Sequence, residues 1–452
     1  MIYRSPHPDV VIPAMPLADF VLARARGRGQ RAALIDALTG RTISYADLPH
    51  LVDRAAAALS GLGLRQGDTC AIYSCNTIEF PVAVLALAQL GAVVTTANPL
   101  YTVDELVPQL RDSRARFLFT SPGAGAAALE AAKRAGIERV FSFGDVPAET
   151  GVVPAFRPAE TAVVPAFRRA ETGVVPAFRP ALTATPFADL LAQPDTPPAV
   201  TIDPNDTVLL PYSSGTTGLP KGVMLTHRNL VANILQLDGT DHYRDGEDTL
   251  ICFLPFFHIY GLTVLMHAGL WRGATLVVMP RFDLAQYLDL IERYRATFLH
   301  VVPPVVLALA KHPLVEGRDF SSVRRMFSGA APLGADVIAR CSQRIGCSVQ
   351  QGYGLTETSP VSHTTPPDGV AAARGSVSPP GPSTECRLVD VATHAPAAPG
   401  ADGELWIRGP QVMRGYFNNP DATRATVDDE GCCTPGTSRA STSRETSTSS
   451  IG

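Results

Sequence analysis

The sequence predicts an α/β protein made of two doubly wound α/β subdomains and a small β-barrel. The first observation is that apolar, strand-like runs alternate with helically spaced segments along most of the 452 residues. The second is a change at Gly375 to short alternating runs separated by Pro and Gly, which is typical of a small antiparallel unit. The predicted units are 1–185, 186–374 and 375–431, followed by a disordered tail at 432–452.

The first region alternates helices and strands over about a hundred residues, which favours a parallel sheet. Ser44 precedes one helical segment and is placed to cap it, because a serine hydroxyl can accept hydrogen bonds from the first helical amides. We predict helices at 17–26, 45–62, 78–90 and 104–113, and strands at 67–74, 92–97 and 117–120.

A repeat with a period of eleven residues interrupts this pattern at 148–180. The three copies read AETGVVPAFRP, AETAVVPAFRR and AETGVVPAFRP. A proline in every copy excludes a continuous coiled coil. The near-identity of the copies favours a duplication in a tolerant surface loop, and a docking segment is the alternative.

The second region alternates in the same way, and the third contains two short strand-like runs. The apolar run at 251–270 is long enough to imitate a membrane span, but Pro255, His258, Gly261 and His267 interrupt it, so we predict a buried strand, loop and helix and no membrane span. We predict strands at 207–211, 249–254, 274–279, 298–302, 323–327, 385–389 and 403–408, and helices from 228 and at 284–294, 304–311 and 335–345.

Charge and cysteine content exclude several classes of function. The net charge of −4, from 38 basic and 42 acidic residues, argues against a nucleic-acid partner and a polybasic membrane anchor. The eight cysteines form no CxxC pair that would indicate a zinc or redox site. Because the segment 1–20 lacks a signal-peptide core, a reduced, cytoplasmic setting is predicted.

The segment from Tyr212 to His227, YSSGTTGLPKGVMLTH, carries the strongest chemical signal. Glycines let a backbone turn sharply and expose its N–H groups, while the hydroxyls add donors and Lys221 adds a positive charge. This combination suits a polyphosphate. It is not the Walker pattern, because Pro220 stands where that pattern has a glycine before the lysine.

Two further clusters follow strand-like runs. SGAAPLG, beginning at Ser328, consists mostly of small residues that leave room for a flat ring beside the backbone, and a tight strand-to-helix turn is the alternative. In QGYGLTE, Tyr353 can stack on a base, Thr356 can bond a phosphate oxygen and Glu357 can hold a hard cation.

These three motifs together, in this order, resemble those of the adenylate-forming (AMP-binding) superfamily, in the branch of 4-coumarate–CoA ligases and acyl–CoA ligases. The resemblance implies two α/β subdomains, a small β-barrel and a mobile C-terminal domain. It also implies an enzyme that uses ATP, Mg²⁺ and coenzyme A to convert a carboxylic acid first to an acyl-adenylate and then to an acyl-CoA.

The resemblance also implies roles for individual residues. Lys221, His258, Thr356 and Glu357 are assigned to catalysis, with Glu357 as the Mg²⁺ ligand. ATP binding is assigned to Ser213, Ser214, Gly215, Thr216, Thr217, Gly218, Lys221, Ala331, Pro332, Gln351, Gly352, Tyr353 and Thr356. The acyl pocket is assigned to His258, Tyr260, Ala330, Gly352, Pro360 and Val361. Taken alone, a histidine in an apolar run is more often a core residue. The small residues of this set indicate an elongated or aromatic apolar acid.

The resemblance stops at Gly431. Family members continue with Trp-Leu-His-Thr-Gly-Asp, whereas this chain reads Cys432-Cys-Thr-Pro-Gly-Thr437. Losing one G from the tryptophan codon in GGC TGG CTG CAC ACC GGG GAC gives Gly-Cys-Cys-Thr-Pro-Gly. A single-base frameshift is therefore our hypothesis, and resequencing this codon tests it; a natural, divergent tail is the alternative. A chain without the C-terminal domain is expected to turn over poorly.

Three functions therefore remain open from the sequence. The first is an acid–thiol ligase acting on a hydrophobic or aromatic acid. The second is an adenylating module that serves a carrier protein. The third is a catalytically dead, nucleotide-binding remnant. The sequence identifies neither the acid nor the oligomeric state.

Overall fold

The computed structural model describes residues 2–144, 182–192, 196–213, 220–365, 378–398, 401–434, 439–442 and 449–451. The repeat at 148–180 lies outside the described residues.

Helices and strands alternate along the described chain. The helices are α1 (Leu17–Leu22), α2 (Asp47–Gly61), α3 (Glu79–Gln89), α4 (Val103–Asp112), α5 (Gly125–Ala135), α6 (Phe187–Leu191), α7 (His227–Asp238), α8 (Ala268–Arg272), α9 (Leu284–Tyr294), α10 (Pro303–Lys311), α11 (Ala335–Ile345) and α12 (Pro420–Thr426). The strands are β1 (Ile2–Arg4), β2 (Ala32–Asp36), β3 (Thr42–Ser44), β4 (Thr69–Tyr73), β5 (Val93–Ala97), β6 (Ala115–Thr120), β7 (Arg139–Ser142), β8 (Ala184–Pro186), β9 (Thr207–Leu209), β10 (Tyr212–Ser213), β11 (Lys221–Thr226), β12 (Thr249–Cys252), β13 (Thr275–Val278), β14 (Phe298–Val301), β15 (Arg325–Ser328), β16 (Ser348–Gly354), β17 (Val361–Thr364), β18 (Glu385–Val389), β19 (Gly403–Arg408), β20 (Gly415–Tyr416), β21 (Arg439–Thr442) and β22 (Ser449–Ile451).

The largest sheet has nine strands and carries the beginning of the glycine-rich segment. Its order is β10-β11-β9-β5-β4-β6-β7-β8, and β20 pairs with β11. The pairs β9·β5, β5·β4, β4·β6, β6·β7 and β7·β8 are parallel, whereas β10·β11, β11·β9 and β11·β20 are antiparallel. The strands of its centre are buried on both faces, as the long apolar runs of β4 and β6 require.

Two four-stranded sheets complete the α/β part. One has the order β12-β13-β2-β3 and the other β14-β15-β16-β17, and both are parallel except for their last pair. The predicted α/β class is confirmed. Because β2 pairs with β13, strands from both sides of residue 185 share a sheet, and the boundary predicted there stays a prediction.

The fifth group of strands is an antiparallel sheet with the order β1-β18-β19-β21-β22. It lies in the region predicted to be a barrel, but within the described ranges it is open, because its two outer strands do not pair with each other. The segment 432–452 was predicted to be disordered, whereas β21 and β22 belong to this sheet. On the side away from β18, β19 pairs with β21 at Gly403 and Glu404 and with Cys433 at Ile407, because backbone N–H and C=O groups can pair with any adjacent extended segment, whatever its side chains.

The apolar run at 251–270 is buried except at Pro255, Phe257 and His258, and it folds as β12, a loop, a π-helical segment at Tyr260–His267 and α8, as predicted apart from the π geometry. π-Helices are rare and occur often at functional sites. Within the described ranges, no helix combines the length and the apolarity that crossing a membrane requires.

Acidification should destabilise the protein partly through His267. Its side chain is fully buried, neither ring nitrogen has a hydrogen-bond partner in the described part of the chain, and burial lowers its pKa from 6.5 to about 3. The folded state therefore requires the neutral ring, so this stability is complete above pH 6.5 and is lost as the pH falls towards about 3. We expect a loss of about 1 kcal/mol per pH unit in this window.

Urea unfolding at pH 7, 5.5 and 4.5 measures this effect. The variant His267→Leu should show a shallower loss of unfolding free energy with acid than the unsubstituted chain. His394 is exposed, so His394→Gln is the control and should leave the pH dependence unchanged. An identical pH slope for His267→Leu and the unsubstituted chain would contradict the prediction.

Candidate active site

The glycine-rich segment begins and ends on neighbouring strands. Ser213, at the end of β10, pairs with Lys221, at the start of β11, in antiparallel register. β10 and β11 therefore form an antiparallel hairpin pair at one edge of the largest sheet. Five residues predicted to bind ATP lie outside the described residues: Ser214, Gly215, Thr216, Thr217 and Gly218.

Glu357 is the point at which three distant segments meet. Its Oε1 accepts hydrogen bonds from the Ser213 hydroxyl at 2.9 Å and from the Tyr416 hydroxyl at 2.8 Å. The Lys221 ammonium lies 4.8 Å from the centroid of the Tyr416 ring. One carboxylate therefore joins three parts of the chain: the glycine-rich segment, the QGYGLTE motif and β20.

Local structure holds Glu357 in place. It lies in a 3₁₀ turn at Thr356–Thr358, and its carbonyl accepts a hydrogen bond from the amide of Met413 at 2.8 Å. The Thr358 hydroxyl caps the turn, accepting from the amide of Leu355 at 3.0 Å. Thr356 is half-buried and directly precedes Glu357 in this turn.

Tyr416 was missed by the sequence analysis. It follows a glycine in a short apolar stretch, and no motif connects it with a residue far earlier in the chain. Burial and the neighbouring Glu357 carboxylate raise the pKa of its hydroxyl, so Tyr416 remains a neutral hydrogen-bond donor at physiological pH. Its ring also gives the Lys221 ammonium a cation–π contact.

Asp112 and Tyr212 anchor the beginning of the hairpin and were also missed. The Tyr212 hydroxyl donates to Asp112 Oδ2 at 2.5 Å, and burial together with this carboxylate raises the pKa of Tyr212. A Cβ at Gly222 would lie 3.2 Å from Tyr212 Cζ, so the glycine lets the ring pack tightly across β11. The strand that enters the glycine-rich segment is thus tied to the end of α4.

The residues predicted to surround adenine lie at the ends of β15 and β16. Ala331 and Pro332 are exposed in the loop after β15. The side chain of Gln351 ties that loop to β16, because its Oε1 accepts from the amide of Leu333 at 3.1 Å. A Cβ at Gly352 would lie 2.2 Å from Phe327 Cζ, so this position requires glycine.

Tyr353 is half-buried on β16, the position from which it can stack on a flat ring. Its ring meets His363 of β17 edge-on, with centroids 5.8 Å apart. His363 is fully buried, and burial lowers its pKa to about 4, so it is neutral beneath Tyr353.

The residues predicted to shape the acyl pocket fall into two groups. Tyr260 donates its hydroxyl to the Phe327 carbonyl at 3.0 Å, and a Cβ at Gly329 would lie 3.2 Å from its Cε1. This places Tyr260 next to Ala330, which adopts a left-handed backbone with φ +73°. The structure therefore brings one predicted wall of the pocket together.

Pro360 and Val361 form the second group and lie beyond the Glu357 turn. The Pro360 carbonyl accepts from the amide of Leu355 at 3.0 Å, and the backbone of Val361 makes two hydrogen bonds with the Asn233 side chain of α7. Asn233 was not singled out in the sequence, because an asparagine inside a helical pattern carries no signal for a contact with a distant strand.

His258 follows β12 in the loop before the π-helical segment. Its side chain has an exposed face, yet the surrounding protein lowers its pKa by desolvation, which favours the neutral ring. Its Nδ1 accepts from the amide of Tyr260 at 3.3 Å. Within the described part of the chain, no hydrogen bond joins His258 to the Glu357 cluster.

Asn76 and Thr96 position the segment that carries His258. The Asn76 side chain donates to the carbonyls of Cys252 and Leu254 and accepts from the amide of Phe256, all within 3.1 Å. The Thr96 hydroxyl donates to the carbonyl of Phe257 at 2.7 Å. No sequence signal identified these two residues, because each acts on a segment more than a hundred residues away.

The Glu357 carboxylate fits the role of a hard-cation ligand. Ser213 and Tyr416 both use its Oε1, and its Oε2 has no hydrogen-bond partner among the residues that the structure describes. Carboxylate oxygens are the ligands that Mg²⁺ prefers, and nucleotide sites commonly offer one or two of them.

Comparisons with known proteins show which family and which solved structures this chain is similar to. The family model described as "AMP-binding enzyme" matches residues 21–417. A 4-coumarate–CoA ligase from Oryza sativa subsp. japonica is 38% identical over 449 residues, which cover 95% of this chain and 75% of that protein. ATP-bound MatB from Rhodopseudomonas palustris has a TM-score of 0.79 at 27% identity, covering 97% of this chain and 78% of that one. A long-chain-fatty-acid–CoA ligase from Archaeoglobus fulgidus has a TM-score of 0.84 at 23% identity, covering 100% of this chain and 86% of that one. This likeness supports the fold alone.

Proposed function

The chain belongs to the AMP-binding enzyme family, and we propose that it activates an elongated or aromatic apolar carboxylic acid with ATP and then transfers the acyl group to coenzyme A. The curated relatives that it resembles are CoA ligases. The observation that carries the proposal is the junction at Glu357, because it unites the hairpin that begins the glycine-rich segment with the motif that holds Thr356.

In the first half-reaction, an oxygen of the acid attacks the α-phosphorus of ATP. A P–O bond forms, the bond from the α-phosphorus to the bridging oxygen breaks, and pyrophosphate leaves. The hairpin hydroxyls and Lys221 would hold the β- and γ-phosphates, and Thr356 would donate to the α-phosphate, where negative charge accumulates. Tyr416 keeps Lys221 at the edge of the sheet, facing the same site.

Mg²⁺, when bound at Glu357, would neutralise the charge that develops on the phosphate oxygens. Ser213 and Tyr416 would orient the carboxylate by hydrogen-bonding its Oε1, leaving Oε2 for the ion. Tyr353 would stack on the adenine ring, and the loop with Ala331 and Pro332 would cover its edge.

In the second half-reaction, the coenzyme A thiolate attacks the acyl carbon. A C–S bond forms, the bond to the adenylate oxygen breaks, and AMP leaves. His258 would lie near the acyl carbon, and because desolvation lowers its pKa the ring is neutral, so it can accept a hydrogen bond or a proton. Tyr260, Ala330, Gly352, Pro360 and Val361 would contact the apolar part of the acid.

Acid-dependent release of pyrophosphate tests the proposal. The panel is 4-coumarate, cinnamate, a medium-chain fatty acid and acetate, each with ATP and Mg²⁺. We expect release with at least one apolar acid and far slower release with acetate. Transfer to coenzyme A is then compared with transfer to a phosphopantetheinyl carrier protein, and ATP binding is measured by calorimetry.

Each alternative has its own result in this assay. ATP binding without acid-dependent pyrophosphate release would identify a nucleotide-binding remnant. Release followed by transfer only to the carrier protein would identify an adenylating module. We further propose a reducing, cytoplasmic setting, which is consistent with eight unpaired cysteines.

A further inference from the structure

A buried hydrogen-bonded cluster of His242, Tyr243 and His300 lies behind the π-helical segment. The Tyr243 hydroxyl donates to the carbonyl of Val264 at 2.6 Å, and its oxygen lies 3.1 Å from His300 Nε2. His300 Nε2 also lies 3.0 Å from His242 Nε2. All three side chains are buried, and none of them belongs to the three motifs that identify the site.

The donors and acceptors of this cluster favour one arrangement of its protons. Tyr243 has one hydroxyl proton and donates it in the hydrogen bond to the Val264 carbonyl, so the Tyr243 oxygen must accept a hydrogen bond from His300. His300 therefore carries its proton on Nε2, and the His242 Nε2 lone pair faces the same proton. Burial and the nearby Arg325 lower the pKa of His300, which keeps the ring neutral as this arrangement requires.

The cluster contacts the predicted acyl wall at two points. The first point is Val264, whose carbonyl accepts the hydrogen bond from Tyr243. Val264 lies four residues after Tyr260 in the same π-helical segment, which is close to one turn. The rings of Tyr260 and His300 meet edge-on with centroids 6.4 Å apart. Tyr260 in turn bonds the carbonyl of Phe327, at the end of β15.

We propose that Tyr243, oriented by His300, is a positioning residue that holds the π-helical segment in place and thereby sets the affinity for the carboxylic acid. This inference rests on the proposed function, because it takes Tyr260 as a wall of the acyl pocket. Tyr243 itself contacts neither the acid nor ATP. Its effect reaches the acid through the backbone of Val264. The residues assigned to the phosphates of ATP lie elsewhere, on β10 and β11 and in the turn that holds Glu357, so the KM for ATP should change far less.

A matched pair of tyrosines makes the test specific. Tyr243→Phe removes only the oxygen that bonds Val264 and His300. Tyr287 is also fully buried, but its hydroxyl has no hydrogen-bond partner in the described part of the chain, so Tyr287→Phe removes an oxygen that bonds nothing. Hydrogen–deuterium exchange of the amides of Tyr260–His267 is compared in the full chain, and KM is measured for 4-coumarate and for ATP by pyrophosphate release.

We expect Tyr243→Phe to accelerate exchange in this segment and to raise the KM for the acid about threefold to tenfold, as the loss of one neutral hydrogen bond predicts. The KM for ATP, and both quantities in Tyr287→Phe, should stay within about twofold. His300→Gln, whose amide can still donate to Tyr243, should resemble the unsubstituted chain more closely than His300→Leu does.

Two results would overturn the inference. Equal exchange in Tyr243→Phe and Tyr287→Phe would show that the cluster does not hold the segment, whether or not the chain is active. Faster exchange without a change in the acid KM would show a purely structural role. If no acid of the panel releases pyrophosphate, the proposed function fails, and the exchange measurement still decides whether Tyr243 positions the segment.

Discussion

Replacing Glu357 by glutamine should lower the rate of acid-dependent pyrophosphate release about 10²- to 10³-fold, because it removes the one charge that the proposed chemistry needs at this point. Glutamine keeps an oxygen that can accept from Ser213 and Tyr416, so the junction of the three segments should persist. The measurement is kcat at saturating ATP and acid over a range of Mg²⁺ concentrations, with thermal melting to verify folding.

Tyr416→Phe is the matched control for this prediction. It removes a hydrogen bond to the same oxygen but leaves the carboxylate charge, and its ring can still contact Lys221. We expect a loss of at most about tenfold. Equal losses in the two variants would mean that Glu357 acts through its hydrogen bonds and not through its charge.

Replacing Gly354 by alanine should lower the free energy of unfolding by about 3 kcal/mol or more and should abolish turnover. A Cβ at this position would lie 1.8 Å from the Pro360 carbonyl oxygen and 3.0 Å from Val361 Cα. Both neighbours are backbone atoms, so no side chain can rotate away. Relief requires β16 to separate from the segment that carries Glu357 and Pro360, which would displace the site itself.

Gly381→Ala provides the comparison. Its Cβ would meet only the Ser362 carbonyl oxygen, at 3.6 Å, which is an ordinary van der Waals contact. Chemical denaturation should therefore show a change within about 1 kcal/mol. If the two glycine variants lost similar stability, close backbone approach would not be the reason for glycine at residue 354.

The Glu357 junction explains why the proposed activity needs an intact fold. Ser213 and Glu357 are 144 positions apart, and Tyr416 lies a further 59 positions along. Any variant that separates the largest sheet from the sheet containing β16 would break both hydrogen bonds at once. Binding and stability should therefore be coupled at this carboxylate.

Secondary structure was predictable where local patterns were strong. The helices at Leu284–Tyr294 and Ala335–Ile345 begin and end at the predicted residues, because their apolar positions repeat with helical spacing and are bounded by Asp283 and Gly346. The π geometry of Tyr260–His267 was not predictable, since a fully buried apolar run has no periodicity that separates one helix type from another.

The last region was predicted partly from its strand pattern and partly from its composition. Short alternating strands were correctly predicted, and β18 and β19 lie where they were expected. Closure into a barrel was predicted from the short alternating runs separated by Pro and Gly, and disorder after residue 431 was predicted from composition. Pairing in a sheet depends on which edges are free, and only the assembled strands show that.

The sequence by itself determined the family, and it predicted phosphate-binding chemistry for the segment that ends at Lys221 and a nucleotide motif in QGYGLTE, because residue types and their spacing are local information. Only the tertiary structure decided that Tyr416 bonds Glu357, that Asp112 anchors Tyr212 and that Tyr243 holds Val264. These contacts join residues that are far apart in the chain. Their distances follow from how sheets and helices pack, and no local pattern of residues records them.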